Sequence, residues 1–239
     1  MIETVNIGGA PISIHYLFWF LGLIVAFIVG SLIRKWYGFS LSKAFLYISY
    51  DVGIGFLLLF VTSWISGGGR MNGINFVRMI YLAGLYFWLL AKLFKDPYGD
   101  VSDFLTIKGA FFFGIVKFGC IFPGCCQGYP FAWGIYSNAS NAICFPIQII
   151  ESLTLLLIGL LLLWMVKRNI GQGKLYAWFL VIFGSTRFVF EFFRDNTKIW
   201  LNISELAIHA FIAVIVGAIV LFITKKKDQR DLAYEKNQM

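Results

Sequence analysis

The residues most able to do chemistry in this 239-residue chain lie inside stretches that are otherwise apolar. In GSTRFVFEFFRDN, Arg187, Glu191 and Arg194 stand at i, i+4 and i+7, which puts them on one stripe of a helix. That stripe reads either as a helix-end ion pair with a snorkelling arginine, or as a cation held by a carboxylate and aimed at an anionic headgroup such as a phosphate. In FPIQIIES, Pro146 suits a first helical turn, and Gln148 shares a face with Glu151. Glu151 is expected to pair with Lys117 or an arginine, either to hold helices together or to orient a cation. Lys117 sits six residues before Pro123, beside a cysteine-rich break, and is expected to face a ligand. Each such group costs about 2.5–3.5 kcal/mol at the centre of a membrane helix, so each needs a partner or a wet cavity.

The break itself reads GIVKFGCIFPGCCQG, from Gly114 to Gly128. Unwound backbone at membrane depth is tolerated only where it is buried in protein or lines a water-filled cavity, so the stretch marks a candidate site. Its cysteines, Cys120, Cys125 and Cys126, with Cys144 downstream, are spaced C-x4-C-C-x17-C. This is not a tetrahedral ligand pattern, and neighbouring residues do not easily share one metal, so no metal site is expected. A redox role stays open although no C-x-x-C occurs. The reading favoured here is structural disulfides, for example Cys126 or Cys125 with Cys144. His15, followed by Tyr16, lies at the start of the first apolar run, where it is a reachable base. Glu205 and His209 read as a hydrogen-bonded core pair, Lys108 as a snorkelling lysine, and Asp51 as structural with no partner visible in the sequence.

The elements that must position these groups are membrane helices. Hydrophobic residues make up 59% of the chain and charged residues 13%, too apolar for a soluble domain of this length. The net charge of +8 is carried by short loops and span ends, where it reports topology and contact with anionic lipid rather than nucleic acid. Seven runs qualify as spans, at about 12–33, 44–65, 76–94, 104–122, 146–166, 175–193 and 206–223. Between them lie an SGGGRMNG linker and an uncharged loop at 123–145, and a polar tail follows at 224–239. The opening MIETVNIGGAP carries no basic cluster and does not read as a cleavable signal peptide, so the first span is expected to stay attached. Arg34, Lys35, Lys43, Lys92, Lys95, Lys167, Arg168, Lys174 and the terminal lysines gather on one side. Arg70, Arg78, Arg194 and Lys198 lie on the other. This places the C-terminus in the cytoplasm, the N-terminus outside, and the cysteine region at the outer leaflet, where disulfides are permitted. No fixed-period repeat occurs, so an all-α bundle forming one transmembrane domain over 1–239 is the expectation.

Taken in order, these segments resemble the prolipoprotein diacylglyceryl transferase family. The likeness runs from HY in the first span through SDF, K-F-G-C-I-F-P-G, P-I-Q-I-I-E and G-S-T-R-F-V-F-E-F-F-R to N-I-S-E-L, about Ile12 to Ile223. Its most specific piece is R-F-V-F-E-F-F-R. Departures are also plain. Where the family reads G-R-x-G-N-F-x-N-G-E, this chain has V-K-F-G-C-I-F-P-G-C, so Lys117 replaces an arginine, Cys120 and Pro123 replace asparagines, and Cys125 replaces a glutamate. The family's H-G-G has a counterpart only around Tyr81, Phe183 stands in place of a tyrosine, and the large soluble head is reduced to Gln127–Cys144.

The resemblance implies a bacterial cytoplasmic-membrane enzyme moving a diacylglyceryl group from phosphatidylglycerol to the cysteine thiol of a lipobox-bearing lipoprotein precursor, without a cofactor. Arg187 and Lys117 would hold the phosphate, Glu191 and Glu151 would orient them, and His15 or Tyr16 would remove the proton. Gln148, Arg194, Gly119 and Gly124 would line the substrate. Two other readings are a membrane thiol-disulfide oxidoreductase working through the cysteines, and a non-catalytic lipid-binding relative.

Overall fold

Long apolar runs free of proline fold as helices because a helix satisfies its own backbone hydrogen bonds, a requirement that hydrocarbon makes strict. The computed structural model describes residues 4–7, 10–66, 80, 82–137, 140–195, 198–200 and 203–236. Helix α1 spans Ile14–Ile33 and tightens into a 3-10 turn at Arg34–Tyr37, which Gly38 closes in the left-handed region at φ 68°. Then come α2 (Leu41–Ser66), α3 (Ala83–Phe94), α4 (Tyr98–Gly119), α5 (Ile147–Lys167), α6 (Leu175–Glu191) and α7 (Glu205–Lys236). Among the described residues, four segments are long and apolar enough to cross a membrane: Ile14–Tyr37, Leu41–Ile65, Ile147–Lys167 and Glu205–Lys225. Helix α3 is shorter but apolar.

The distribution of side chains is that of a protein facing lipid. Leu32, Leu57, Leu157 and Phe222 are more than 60% exposed, while Asp103, Glu151 and Arg187 are at most 3% exposed. Polar groups turn inward because only there can they meet partners. Helix α4 is the buried axis and packs against α1, α3, α5 and α6. Its contact with α5 is close because Gly114 has no side chain: a Cβ there would lie 2.7 Å from Leu156 Cδ2. The Ser152 hydroxyl donates to the Gly114 carbonyl at this crossing. At the opposite end of α4, buried Asp103 accepts the Gly173 N–H at 2.6 Å and the Leu175 N–H at 2.9 Å, fixing the start of α6.

Several boundaries differ from the sequence expectation. Helix α4 begins at Tyr98, after Pro97, and stops at Gly119, so the chain leaves the helix four residues before Pro123. Helix α7 continues through the lysine cluster to Lys236, because KKKDQRDLAYEK is built of good helix formers. The loop after Gly128 is a hairpin, with β3 (Pro130–Ser137) antiparallel to β4 (Ala142–Cys144). A second pair of strands joins β1 (Thr4–Ile7) to β2 (Ala10–Ser13) antiparallel, with Ile7 opposite Ala10. A third, short one pairs β5 (Lys198–Trp200) with β6 (Ile203–Ser204) ahead of α7. The SGGGRMNG linker beyond Ser66, Arg70, Arg78, Tyr81 and the first part of the 76–94 span lie outside the described residues.

Three side chains correct the sequence reading. Lys108 does not snorkel: it is 2% exposed and forms an ion pair with Asp51, whose carboxylate also accepts the Tyr86 hydroxyl. Asp51 therefore has two partners, contributed by α3 and α4, which sequence separation concealed. Glu205 and His209 are not a core pair, since Glu205 is 51% exposed and the two stand 3.6 Å apart at the open start of α7.

Candidate functional site: a cation cluster on Glu151

Glu151, one turn into α5 and 2% exposed, is the hub. Its Oε2 takes Lys117 Nζ from α4 at 3.0 Å and Arg194 Nη2, while its Oε1 faces Arg187 Nη1 from α6 at 2.9 Å. Arg187 Nη1 also reaches Glu191 Oε2 at 2.6 Å, one turn along the same helix. Arg194 Nε stands 3.9 Å from Glu191 Oε2. Thus the stripe inferred from i, i+4, i+7 spacing exists, and Lys117 reaches the same cluster. Three cations face two carboxylates, which leaves one positive charge over. Arg187 Nε and Arg194 Nε, both buried, have no hydrogen-bond partner among the described residues.

Arg194 is held although α6 has ended at Glu191, because the chain there runs against the segment after the break. Gly128 and Arg194 form an antiparallel bridge, Tyr129 N–H donates to Phe193 O at 3.2 Å, and Asp195 N–H donates to Gln127 O at 3.3 Å. Gly128 is needed for this approach, since a Cβ would meet Phe145 O at 2.5 Å. Gln148 is 6% exposed, and its amide donates to the Cys125 carbonyl at 3.2 Å, tying the break to the first turn of α5. Gly124 turns the chain at φ 67°. The cysteine break is therefore the wall beside Lys117 and Arg194.

The remaining candidates are placed differently. Gly119 lies against α1, where a Cβ would meet Phe18 Cβ at 2.8 Å and His15 Nδ1 at 3.0 Å. His15 accepts the Trp19 indole N–H on Nε2 at 2.9 Å. In the neutral ring Nδ1 then carries the hydrogen, so the face toward Gly119 is a donor and not a base. Tyr16 is 67% exposed on the outside of α1, away from the buried cluster. All four cysteines are free thiols. Cys125 Sγ stands 3.7 Å from the Cys120 carbonyl oxygen, whereas Cys144 stands in the hairpin with its sulfur 3.2 Å from Ser140 Oγ. The expected link from Cys125 or Cys126 to Cys144 is not formed. Among the described residues no group of His, Cys, Asp and Glu is arranged to hold a metal.

Ser204 carries a task that sequence reading gave it no part in. Its hydroxyl donates to Glu191 Oε1 at 2.7 Å and accepts the Ala207 N–H at 3.2 Å, so it caps α7 while fixing the second carboxylate of the cluster. The signal was present, since a serine directly before an acidic residue and an apolar run is a helix-start pattern. Ser204→Ala should cost about 1–2 kcal/mol in thermal unfolding, and a Thr replacement should recover most of it. Equal stability of Ala and wild type would remove Ser204 from this role.

A profile of the prolipoprotein diacylglyceryl transferase family matches residues 67–224, which include Lys117, Glu151, Arg187, Glu191, Arg194 and Ser204. The chain is similar to phosphatidylglycerol–prolipoprotein diacylglyceryl transferase 2 of Clostridium perfringens, 26% identical over 140 residues and covering 55% of each chain. The corresponding transferase of Clostridium tetani is 29% identical over 126 residues, 48% of this chain and 50% of that one. That of Dehalococcoides mccartyi is 23% identical over 249 residues, 87% of this chain and 95% of that one. The match thus spans about half the length of the two Clostridium proteins and nearly all of the third. By the extent of the family match, this chain belongs to the prolipoprotein diacylglyceryl transferase family.

Proposed function

We propose that the chain transfers a diacylglyceryl group from phosphatidylglycerol to the cysteine thiol of a lipoprotein precursor. It would do so as one seven-span domain in a bacterial cytoplasmic membrane, with the site toward the outer leaflet. The observation that carries this reading is the Glu151 hub, where three cations, Arg187 and Arg194 buried and Lys117 half-buried, exceed two carboxylates, and two arginine N–H groups have no partner among the described residues. Buried donors without partners cost about 1–3 kcal/mol each, more where charge is involved, and a phosphate oxygen supplies acceptors and the missing negative charge together.

The chemistry follows from the charges. The acceptor thiolate attacks the glycerol carbon, a C–S bond forms, and the C–O bond to phosphate breaks. The released glycerol phosphate carries the developing negative charge, which Arg187, Lys117 and Arg194 stabilise in a low-dielectric site. Glu151 and Glu191 hold those cations in place. The same positive field favours the thiolate of the incoming cysteine. Because Lys117 offers a point charge where an arginine would offer a fork, phosphate recognition in two parallel bonds falls to Arg187.

Radiolabelled phosphatidylglycerol and a lipobox peptide test the proposal directly. Wild type should label the peptide, and Arg187→Ala should lower kcat/KM by about 100- to 1000-fold. Absence of transfer by a well-folded wild type would overturn the reading.

A further inference from the structure

The hairpin after the cysteine break carries apolar surface that neither the bundle nor the transfer chemistry uses. Strand β3 meets Cys144 of β4 twice, through Pro130 and again through Ile135, so residues 131–134 bulge out of the ladder. Gly134, at φ 151°, closes the bulge so tightly that a Cβ there would lie 2.0 Å from the Cys144 carbonyl oxygen. The bulge displays Phe131 and Trp133, whose ring centroids stand 5.5 Å apart at 78°. Both rings lie against Phe145, at 5.6 and 5.8 Å, and Phe145 stacks in turn on Phe193 at 5.2 Å. The backbone beneath them is pinned, since the Phe145 N–H donates to Tyr129 O at 2.9 Å and the Tyr129 N–H donates to Phe193 O at 3.2 Å. The four rings form one platform, with Phe131, Trp133 and Phe193 exposed, Trp133 by 60%.

We propose that this platform is a lipid anchor, seated at the boundary between headgroups and hydrocarbon on the side of the membrane where the Glu151 cluster lies. The level follows from α5. Its 21 residues measure about 31 Å, against a hydrocarbon core of about 30 Å, so its end at Ile147 stands at one boundary. Phe145 comes two residues before that end, and Phe193 comes two residues after Glu191 closes α6. Exposed Leu153 and Leu157 on α5, with Val189 and Phe192 at the end of α6, extend the apolar surface of the same two helices toward the bilayer centre. The rings therefore crown a lipid-facing wall.

Lipid suits the platform better than a protein partner does. Contiguous exposed rings mark an interaction surface, because water is a poor neighbour for them. A protein-docking patch ordinarily has a polar rim, yet residues 123–145 hold no Asp, Glu, Lys or Arg. The membrane boundary favours such a segment: no ion has to leave water, and the Trp133 indole N–H can stay among headgroups while its ring rests on acyl chains. Because the backbone fixes the rings before lipid meets them, insertion costs little ordering. Phe193 directly precedes Arg194, so the level of the platform also sets the depth of the Glu151 cluster.

Fluorine NMR of the full chain, labelled with fluorotryptophan and held in phosphatidylcholine nanodiscs, tests the proposal. The resonance missing from Trp133→Phe is that of Trp133, and Trp133→Tyr assigns it should the first variant fail to fold. A lipid nitroxide near the head of the acyl chain should broaden this resonance beyond detection, while a water-soluble gadolinium chelate leaves most of its intensity. Sparing by the nitroxide, or equal loss to both probes, would overturn the anchor. A resonance that the nitroxide spares and a lipobox peptide shifts would make the platform a peptide-docking surface instead, which is equally fatal. The nanodisc holds no phosphatidylglycerol and no transfer is read, so the outcome is separate from that of the transfer experiment.

Discussion

Glu151→Gln should cost about 3–5 kcal/mol of stability, because it leaves buried Arg187 and Arg194 and half-buried Lys117 around a single remaining carboxylate. Thermal unfolding in detergent should shift down by on the order of 10 °C. The cause is uncompensated charge rather than lost packing, since glutamine is nearly isosteric, and that can be checked. Lys117→Met placed on top of Glu151→Gln restores the wild-type excess of one positive charge, so the double variant should be more stable than Glu151→Gln alone. A double variant that is the sum of two losses would show that the hub is held by shape and not by charge. The same substitution should abolish transfer, as the cations would no longer be fixed in a common position.

A comparable loss, about 3 kcal/mol, is expected for Lys108→Met, which strands the Asp51 carboxylate with only the Tyr86 hydroxyl. This pair lies apart from the Glu151 cluster, beside a small apolar cavity lined in part by Trp19, Phe56 and Phe112. Its removal should therefore lower the melting point while leaving transfer per folded molecule close to wild type. Adding Asp51→Asn should return most of the stability, because paired neutral groups of similar volume replace a buried ion pair at little cost. If the single variant melts like wild type, Lys108 has found water and the pair does not hold α2 to α4.

Much of the site was legible because helical spacing is a strong constraint. Arg187, Glu191 and Arg194 were placed on one face by their intervals alone, and the sequence pointed to Glu151 as a partner for Lys117 because a carboxylate at that depth must find a cation. What the sequence could not supply was everything set by contacts between distant segments. That Glu151 takes all three cations, that Lys108 finds Asp51, and that Gly128 pairs with Arg194 all depend on how helices pack, which leaves no local pattern. The hairpin at Pro130–Cys144 was missed for another reason: its apolar residues were read as loop aromatics, although Phe131, Trp133 and Ile135 alternate with small residues as a strand does. His15 looked like a base because its position allowed it. The Trp19 indole bond that engages its lone pair is an i, i+4 contact that the sequence did contain.

The Asp103 carboxylate gives the bundle a mechanical property. By accepting the Gly173 and Leu175 N–H groups it joins α4 to the beginning of α6, and Gly99 and Gly173 touch beside it, where a Cβ on Gly99 would lie 2.7 Å from Gly173 Cα. Lys117 and Arg187 sit at the far ends of these same two helices, roughly 20 Å away at 1.5 Å per residue. The two helices are thus tied at both ends, by Asp103 at one and by Glu151, held between Lys117 and Arg187, at the other. Each degree of splay at the clamp separates the two cations by about 0.4 Å over that length, so the grip on an anion is set by a carboxylate that never touches it.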